Sequence, residues 1–152
     1  ATSQIKVPRW AKLSPNVTNL VEIASAAREA GADGVTLINT LMGMVIDINK
    51  RRPLLGAGGG GLSGPAIRPV AIRSVFDVYQ AMPDIPIVGV GGVASAKDVI
   101  EFLMAGASAV QIGSANFDNP RISQKIITDL GKWCRDNEFE SINAIKGLAH
   151  KP

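Results

Sequence analysis

Short apolar runs alternate along the chain with longer segments in which apolar residues recur every three or four positions. The runs are typical of buried parallel strands, and the longer segments are typical of amphipathic helices. The pattern predicts strands over 7–13, 34–38, 85–90 and 109–112, and helices over 17–30, 69–82, 96–104 and 120–137. Ser95 is predicted to cap the third helix, with Asp98 as the third helical residue. Alternating strands and helices indicate parallel βα units, so we predict an α/β protein.

Residues 41–64 interrupt this alternation after the second predicted strand. Within them, "MVIDINKRRP" predicts a small hairpin that turns at Asn49 and Lys50, and "GAGGGGLSG" predicts a flexible connection. The segment 104–114 repeats the pattern of 29–39, a helix end, an Ala-Gly-Ala turn and an alternating strand. This echo favours equivalent units, as in a repeated barrel.

The number of units leaves two fold hypotheses open. Four βα units are half of the eight that close a (β/α)₈ barrel, and a four-stranded parallel sheet alone would leave two unpaired edges. The chain is therefore a small open α/β domain or one half of a barrel. The absence of an initial methionine and the start near a strand favour a fragment.

Composition excludes several function classes. The 152 residues are 46% hydrophobic and 19% charged, which is typical of one globular domain. Lys and Arg are scattered and never form a run of five or six, which argues weakly against a nucleic-acid partner. We see no signal peptide or membrane span and one cysteine, so we expect a cytoplasmic protein. We interpret Cys134 as a packing residue, and the lone His150 leads us to expect no metal site.

Glycines end two consecutive predicted strands. "GVGG" ends the third strand and "IGSAN" ends the fourth. Because ligands bind at the carboxyl ends of parallel strands, and glycine lets main-chain N–H groups approach an oxyanion, we predict a phosphate cradle of Gly91, Gly92, Gly113 and Ser114. The alternative is that these glycines only permit tight turns.

Three polar residues are predicted at the same rim. Strand alternation places Lys12 on the barrel side with Trp10 and Ser14, and a buried ammonium requires an anionic partner. The alternative is a lysine that reaches solvent. Asn39 and Thr40 end the second strand and offer amide and hydroxyl groups to a polar ligand, although Asn is also a common turn residue.

Five segments together carry a family resemblance: "KLSPNVT", "GADGVTLINT", "GGLSGPAIRPVAIR", "GVGGVASAKDVIEFLMAGASAVQIGSANF" and "ESINAIKGLAH". They resemble the carboxyl-terminal half of a class 1 dihydroorotate dehydrogenase catalytic subunit, and "INT" with "GGLSGPAI" most resembles the NAD-linked 1B type. The resemblance implies that residues 1–152 form the last four βα units of one FMN-binding (β/α)₈ TIM barrel. It also implies a flavoprotein oxidoreductase that oxidises dihydroorotate to orotate in pyrimidine biosynthesis.

The resemblance implies roles for individual residues. Lys12 would be the catalytic cation beside the flavin, and Asn39 and Thr40 would bind the substrate ring, with Asn39 also near the flavin. Ile38, Ser63 and Gly64 would pack along the flavin and its ribityl chain. The phosphate would be held by the cradle predicted above, namely Gly91, Gly92, Gly113 and Ser114.

The resemblance also implies what the chain lacks. The family's catalytic base is a cysteine of the amino-terminal half, so an isolated chain is expected not to turn over. Expected partners are the amino-terminal half of the barrel and a second copy in a homodimer. In the 1B type, the resemblance also implies an electron-transfer subunit that carries FAD and a 2Fe-2S cluster and passes electrons to NAD. Fumarate is the class 1A alternative. Rival hypotheses are a dihydropyrimidine dehydrogenase-like flavin domain, a phosphate-binding aldolase or isomerase barrel with Lys12 as a Schiff-base lysine, and a half-barrel binding module without enzymatic activity.

Overall fold

The computed structural model describes residues 6–151. Its strands are β1 (Trp10–Leu13), β2 (Gly34–Leu37), β3 (Leu41–Gly43), β4 (Ile46–Asp47), β5 (Arg52–Pro53), β6 (Gly60–Leu62), β7 (Ile87–Val90) and β8 (Ala109–Gln111). Its α-helices are α1 (Leu20–Glu29), α2 (Arg68–Ala81), α3 (Ala96–Met104), α4 (Ala115–Asp118) and α5 (Ile122–Asp136). Short 3₁₀ turns cover Pro65–Ile67, Ile142–Ile145 and Leu148–His150. All the predicted βα units are present, and the short helix α4 was not predicted.

The main sheet is parallel and has four strands in the order β1-β2-β7-β8, which confirms the α/β class. One face is buried under the helices, where Val35, Leu37 and Ile87 are fully inaccessible to solvent. The opposite face is partly open: Trp10 on it is 46% exposed, whereas Thr36 of the central strand β2 is buried. Within residues 6–151 the sheet does not close, because β1 and β8 each pair on one side only. A complete barrel is therefore not formed by this part of the chain.

The helix ends follow from local hydrogen bonds. The first helix begins at Leu20, and our prediction of Val17 was wrong, because Asn19 caps the helix by accepting from the N–H groups of Val21 and Glu22. Ser95 caps α3 as predicted and accepts from the N–H of Asp98 at 3.3 Å.

The predicted internal echo is confirmed at the ends of α1 and α3. Gly31 and Gly106 follow these helices with φ of 90° and 115°, conformations that favour glycine. At both ends three successive N–H groups, those of residues 30–32 and 105–107, donate back to the last turn in the same pattern. The two units therefore stop their helices by the same device before β2 and β8.

The insertion after β2 is more regular than its composition predicted. Strands β4 and β5 pair around the turn 48–51, which confirms the hairpin predicted at Asn49 and Lys50. The prediction of a flexible glycine run was wrong for Gly60–Leu62, because these residues pair with β3 as the antiparallel strand β6. Across the described residues 6–151, no helix has the length and apolar character needed to cross a bilayer.

Candidate functional site

The predicted site residues come together at the carboxyl ends of the parallel strands. A cavity of about 150 Å³ opens there. A pocket for a drug-sized ligand has about 300–1,000 Å³, so the cavity accommodates part of such a ligand. Its lining includes every residue predicted for the site, namely Lys12, Ile38, Asn39, Thr40, Ser63, Gly64, Gly91, Gly92, Gly113 and Ser114. Ile67, Val90 and Val93 complete the lining.

Three of the lining glycines are required by the fold itself. Gly64, Gly91 and Gly92 have φ of 86°, 138° and 74°, which residues with a side chain rarely adopt. A Cβ atom on Gly92 would also lie 2.7 Å from the carbonyl oxygen of Gly64 and 2.8 Å from the Cβ of Arg68. The tight-turn explanation is therefore sufficient for these three positions.

Gly113 is different, because nothing within residues 6–151 requires a glycine there. Its φ is not positive, and a Cβ atom would meet no atom within 4 Å. A side chain at this position would instead occupy open space beside the cavity. The glycine at 113 keeps that space free, which the tight-turn explanation does not account for.

The cavity offers main-chain donors to a ligand. Among residues 6–151 no acceptor receives a hydrogen bond from the N–H groups of Gly92, Gly113 or Ser114. The loops that carry them both lie beside the turn at Gly64, since a Cβ on Gly92 would lie 2.7 Å from the Gly64 carbonyl oxygen and a Cβ on Gly64 would lie 3.9 Å from the Ser114 Oγ. Clustered N–H groups of this kind form sites for oxyanions.

Lys12 lies on the open face of the sheet, in register with Thr36 of β2. Its side chain is exposed, so the prediction of a buried ammonium was wrong: the face that would bury it is uncovered in this part of the chain. No carboxylate of residues 6–151 forms an ion pair with it. Of the described residues that line the cavity, Lys12 is the one with a charged side chain. The cavity therefore carries a positive charge and suits an anion.

Asn39 and Thr40 lie at the rim directly after β2. The main-chain N–H of Asn39 donates to the Leu13 carbonyl at 2.9 Å, and the Asn39 side chain is exposed. Thr40 is held by Asn16 of the turn after β1. The Asn16 Nδ2 donates to the Thr40 carbonyl at 2.9 Å, and its Oδ1 accepts from the N–H of Met42 at 2.9 Å. Sequence reasoning missed Asn16, because an Asn after Ser-Pro is a common turn residue and carries no signal of a partner 24 residues away.

An ion pair between buried Asp98 and half-buried Arg68 lies beside the glycine turn. Asp98 contacts the guanidinium of Arg68 and also accepts from the N–H of Ala94 at 2.9 Å. Arg68 Nε lies 3.4 Å from a carboxylate oxygen of Glu101. The sequence predicted Asp98 only as the third residue of a helix. The hydrophobic and polar pattern of the sequence does not indicate that Asp98 pairs with Arg68 at the start of α2.

The other chemically reactive side chains lie away from the cavity. Cys134 is half-buried on α5 and does not line the cavity, and its interpretation as a packing residue stays a prediction. His150 stacks on Phe76 with ring centroids 3.9 Å apart, and its Nε2 lies 3.0 Å from the Ala105 carbonyl oxygen. In the described part of the chain, no three His, Cys, Asp or Glu residues are grouped so as to hold a metal ion.

Comparisons with known proteins give a consistent result. The family model described as dihydroorotate dehydrogenase matches residues 1–133. The chain is 52% identical over 144 residues to the "Dihydroorotate dehydrogenase B (NAD(+)), catalytic subunit" of Desulforamulus reducens, which covers 95% of this chain and 47% of that relative. The protein of the same name in Desulforudis audaxviator is 51% identical over 96% of this chain and 47% of that relative. The one in a Geobacillus species is 58% identical over 96% of this chain and 46% of that relative. The chain therefore spans about half the length of the curated relatives it matches.

Proposed function

The chain belongs to the dihydroorotate dehydrogenase family, and we propose that it forms the carboxyl-terminal half of an FMN-binding (β/α)₈ barrel that oxidises dihydroorotate to orotate. The observation that carries this proposal is the convergence of the ten predicted site residues on one cavity. The relatives carry the name of the B (NAD(+)) type, which supports NAD rather than fumarate as the final electron acceptor. A partner subunit with FAD and a 2Fe-2S cluster, and a homodimer of the catalytic subunit, belong to the same proposal.

The residues of the cavity fit the phosphate end of FMN. A phosphate dianion needs several donors and no nearby uncompensated carboxylate. The free N–H groups of Gly92, Gly113 and Ser114 supply the donors, and no Asp or Glu of residues 6–151 lines the cavity. Gly113 leaves open space beside these donors. The small volume of the cavity fits this end of the cofactor, and the remainder would extend beyond the cavity.

The chain's own residues would then have separate tasks. FMN, when bound, supplies the group that accepts a hydride from dihydroorotate. Lys12 would stabilise negative charge that develops on the flavin side of the site, because no carboxylate of residues 6–151 pairs with its ammonium. Asn39 and Thr40 would orient the substrate ring through hydrogen bonds, and Asn16 fixes the main chain that carries Thr40. Ile38, Ser63 and Gly64 would line the path between the two ends.

The proposal assigns the remaining tasks to a segment outside this chain. Proton removal from the substrate requires a base, and the cavity of residues 6–151 is lined by no Cys, His, Asp or Glu. The open face of the sheet and the unpaired edges of β1 and β8 provide the surface that an amino-terminal half of the barrel would cover. Such a half would bury Lys12 and add the base.

The test is complementation by the amino-terminal half of a relative. The full 152-residue chain is produced alone and together with the amino-terminal half of the Desulforamulus reducens protein, and FMN content and anaerobic bleaching of flavin absorbance by dihydroorotate are measured. We expect bound FMN and bleaching in the complemented protein and no bleaching by the chain alone. A complemented protein that assembles but binds no FMN, or a chain that bleaches flavin by itself, would contradict the proposal. Reduction with borohydride should attach no carbonyl substrate to Lys12, whereas trapping would favour the aldolase alternative.

A further inference from the structure

Asp98 holds together two loops that belong to different parts of the cavity. It is the one charged side chain among the fully buried residues of 6–151, with 3% of its surface exposed. One of its oxygens accepts from the N–H of Ala94, just after the turn at Gly91 and Gly92, and the other contacts Arg68 at the start of α2. Only the 3₁₀ turn Pro65–Ile67 separates Gly64 from α2, so the carboxylate links the two glycine turns that line the cavity.

The contact between these loops leaves little room for movement. The ideal Cβ position of Gly92 lies 2.7 Å from the Gly64 carbonyl oxygen, 2.8 Å from the Arg68 Cβ and 3.0 Å from the Arg68 main-chain nitrogen. The main chain of the turn therefore lies directly against the first residue of α2. Any rotation of the turn that reorients the N–H of Gly92 must move the segment that Arg68 and Asp98 hold.

We propose that Asp98 and Arg68 are positioning residues that hold the N–H groups of the glycine turn in the orientation that binds the FMN phosphate. This inference rests on the proposed function. Buried ion pairs contribute little net stability compared with apolar residues of similar volume, whereas they fix geometry in some proteins. Neither side chain lines the 150 Å³ cavity, so the pair acts through the turn and not by contact with the ligand.

Positioning and simple electrostatics predict opposite effects for Asp98→Asn. The substitution removes a negative charge and leaves Arg68 with only Glu101 as its partner, at 3.4 Å. If the pair acted only through its charge, the unpaired guanidinium would strengthen binding of a phosphate. If the pair acts by holding the turn, loss of the Arg68 contact would weaken phosphate binding. The sign of the change therefore distinguishes the two explanations.

The experiment compares FMN with riboflavin, which lacks the phosphate. Dissociation constants for both are measured by quenching of flavin fluorescence on the full 152-residue chain, alone and with the complementing amino-terminal half. The readout is the ratio of the riboflavin constant to the FMN constant. The variants are Asp98→Asn, Arg68→Gln and the double substitution, and the matched control is Arg73→Gln, which removes an exposed Arg–Asp pair of the same helix, with Asp77 at 2.8 Å.

We expect Asp98→Asn and Arg68→Gln each to lower the ratio about tenfold, a change of about 1.4 kcal/mol. Because the two residues act as one unit, the double variant should lower the ratio by no more than either single variant does. Arg73→Gln should leave the ratio unchanged. Thermal unfolding followed by circular dichroism verifies that each variant is folded, and Arg68→Lys provides a milder change should Arg68→Gln not fold.

Other outcomes overturn the inference in distinguishable ways. An unchanged or raised ratio in Asp98→Asn shows that the pair does not position the turn. A parallel loss of affinity for both flavins shows a purely structural role. A ratio near one in the unsubstituted protein refutes the phosphate cradle of the proposed function itself, and the positioning inference is then refuted with it.

Discussion

Substitution of Gly92 by Ala tests the structural basis of the cradle most directly. Gly92 has φ of 74°, and the added methyl group would lie 2.7 Å from the Gly64 carbonyl oxygen and 2.8 Å from the Arg68 Cβ. Neither neighbour is the flexible end of a side chain, so relief requires the main chain to move. The substitution therefore introduces both an unfavourable backbone conformation and a steric overlap.

The expected magnitude follows from these two effects. A left-handed conformation costs a residue with a side chain about 1–2 kcal/mol, and an extra methyl group in a packed position costs about 1–3 kcal/mol. We therefore expect Gly92→Ala to lower the free energy of unfolding by about 2–5 kcal/mol. Urea denaturation followed by circular dichroism measures this change, with an unaltered slope confirming that the folded and unfolded states remain comparable.

Gly113→Ala is the matched control for this prediction. Its Cβ would meet no atom within 4 Å, and its φ is not positive. We expect a change of at most about 0.5 kcal/mol in stability but weaker FMN binding, because the methyl group stands in open space beside the cavity. A Gly92→Ala protein as stable as the unsubstituted one would refute the steric reasoning. Equal destabilisation by Gly113→Ala would show that glycine is needed there for folding.

Further substitutions test the other site residues. Lys12→Met should change the free energy of unfolding by at most about 0.5 kcal/mol. In the complemented protein it should slow flavin bleaching by dihydroorotate about 100-fold, as measured by stopped flow. An unchanged rate would show that Lys12 has no part in the reaction. Asn16→Ala should weaken orotate binding without changing FMN binding, because Thr40 and Met42 lose their hydrogen bonds; calorimetric titration that shows equal orotate affinity would contradict this role. Cys134→Ser should retain full bleaching activity, whereas an inactive but folded variant would identify Cys134 as the base.

The sequence predicted those features that depend on neighbouring residues. The βα order, the cap at Ser95 and the equivalent helix ends at Gly31 and Gly106 all follow from spacing and residue type within a few positions. The glycine cradle could be predicted for a related reason, since the carboxyl ends of parallel strands meet at one edge of the sheet. Gly91 and Gly113 thus come together although 22 residues separate them.

Features that depend on distant partners could not be predicted. Asp98 and Arg68 are 30 residues apart, and Asn16 and Met42 are 26 residues apart. Nothing in the local pattern distinguishes these residues from a helix-start acid, a surface arginine or a turn asparagine. The error at Lys12 has another cause: alternation correctly gave its face of the strand, but exposure depends on whether another layer covers that face.

In the proposed function, phosphate binding and catalysis would depend on different parts of the barrel. All the free N–H groups of the cradle, the ion pair that links its loops and the cation at Lys12 lie within residues 6–151. The cavity's lining contains no base, and the face that carries Lys12 is open to water, which weakens every electrostatic interaction made there. A preference for FMN over riboflavin should consequently be detectable in this chain alone, while oxidation of dihydroorotate should require the covering half. Covering the face would strengthen the interaction of Lys12 with the flavin by excluding water, and the same step would deliver the base.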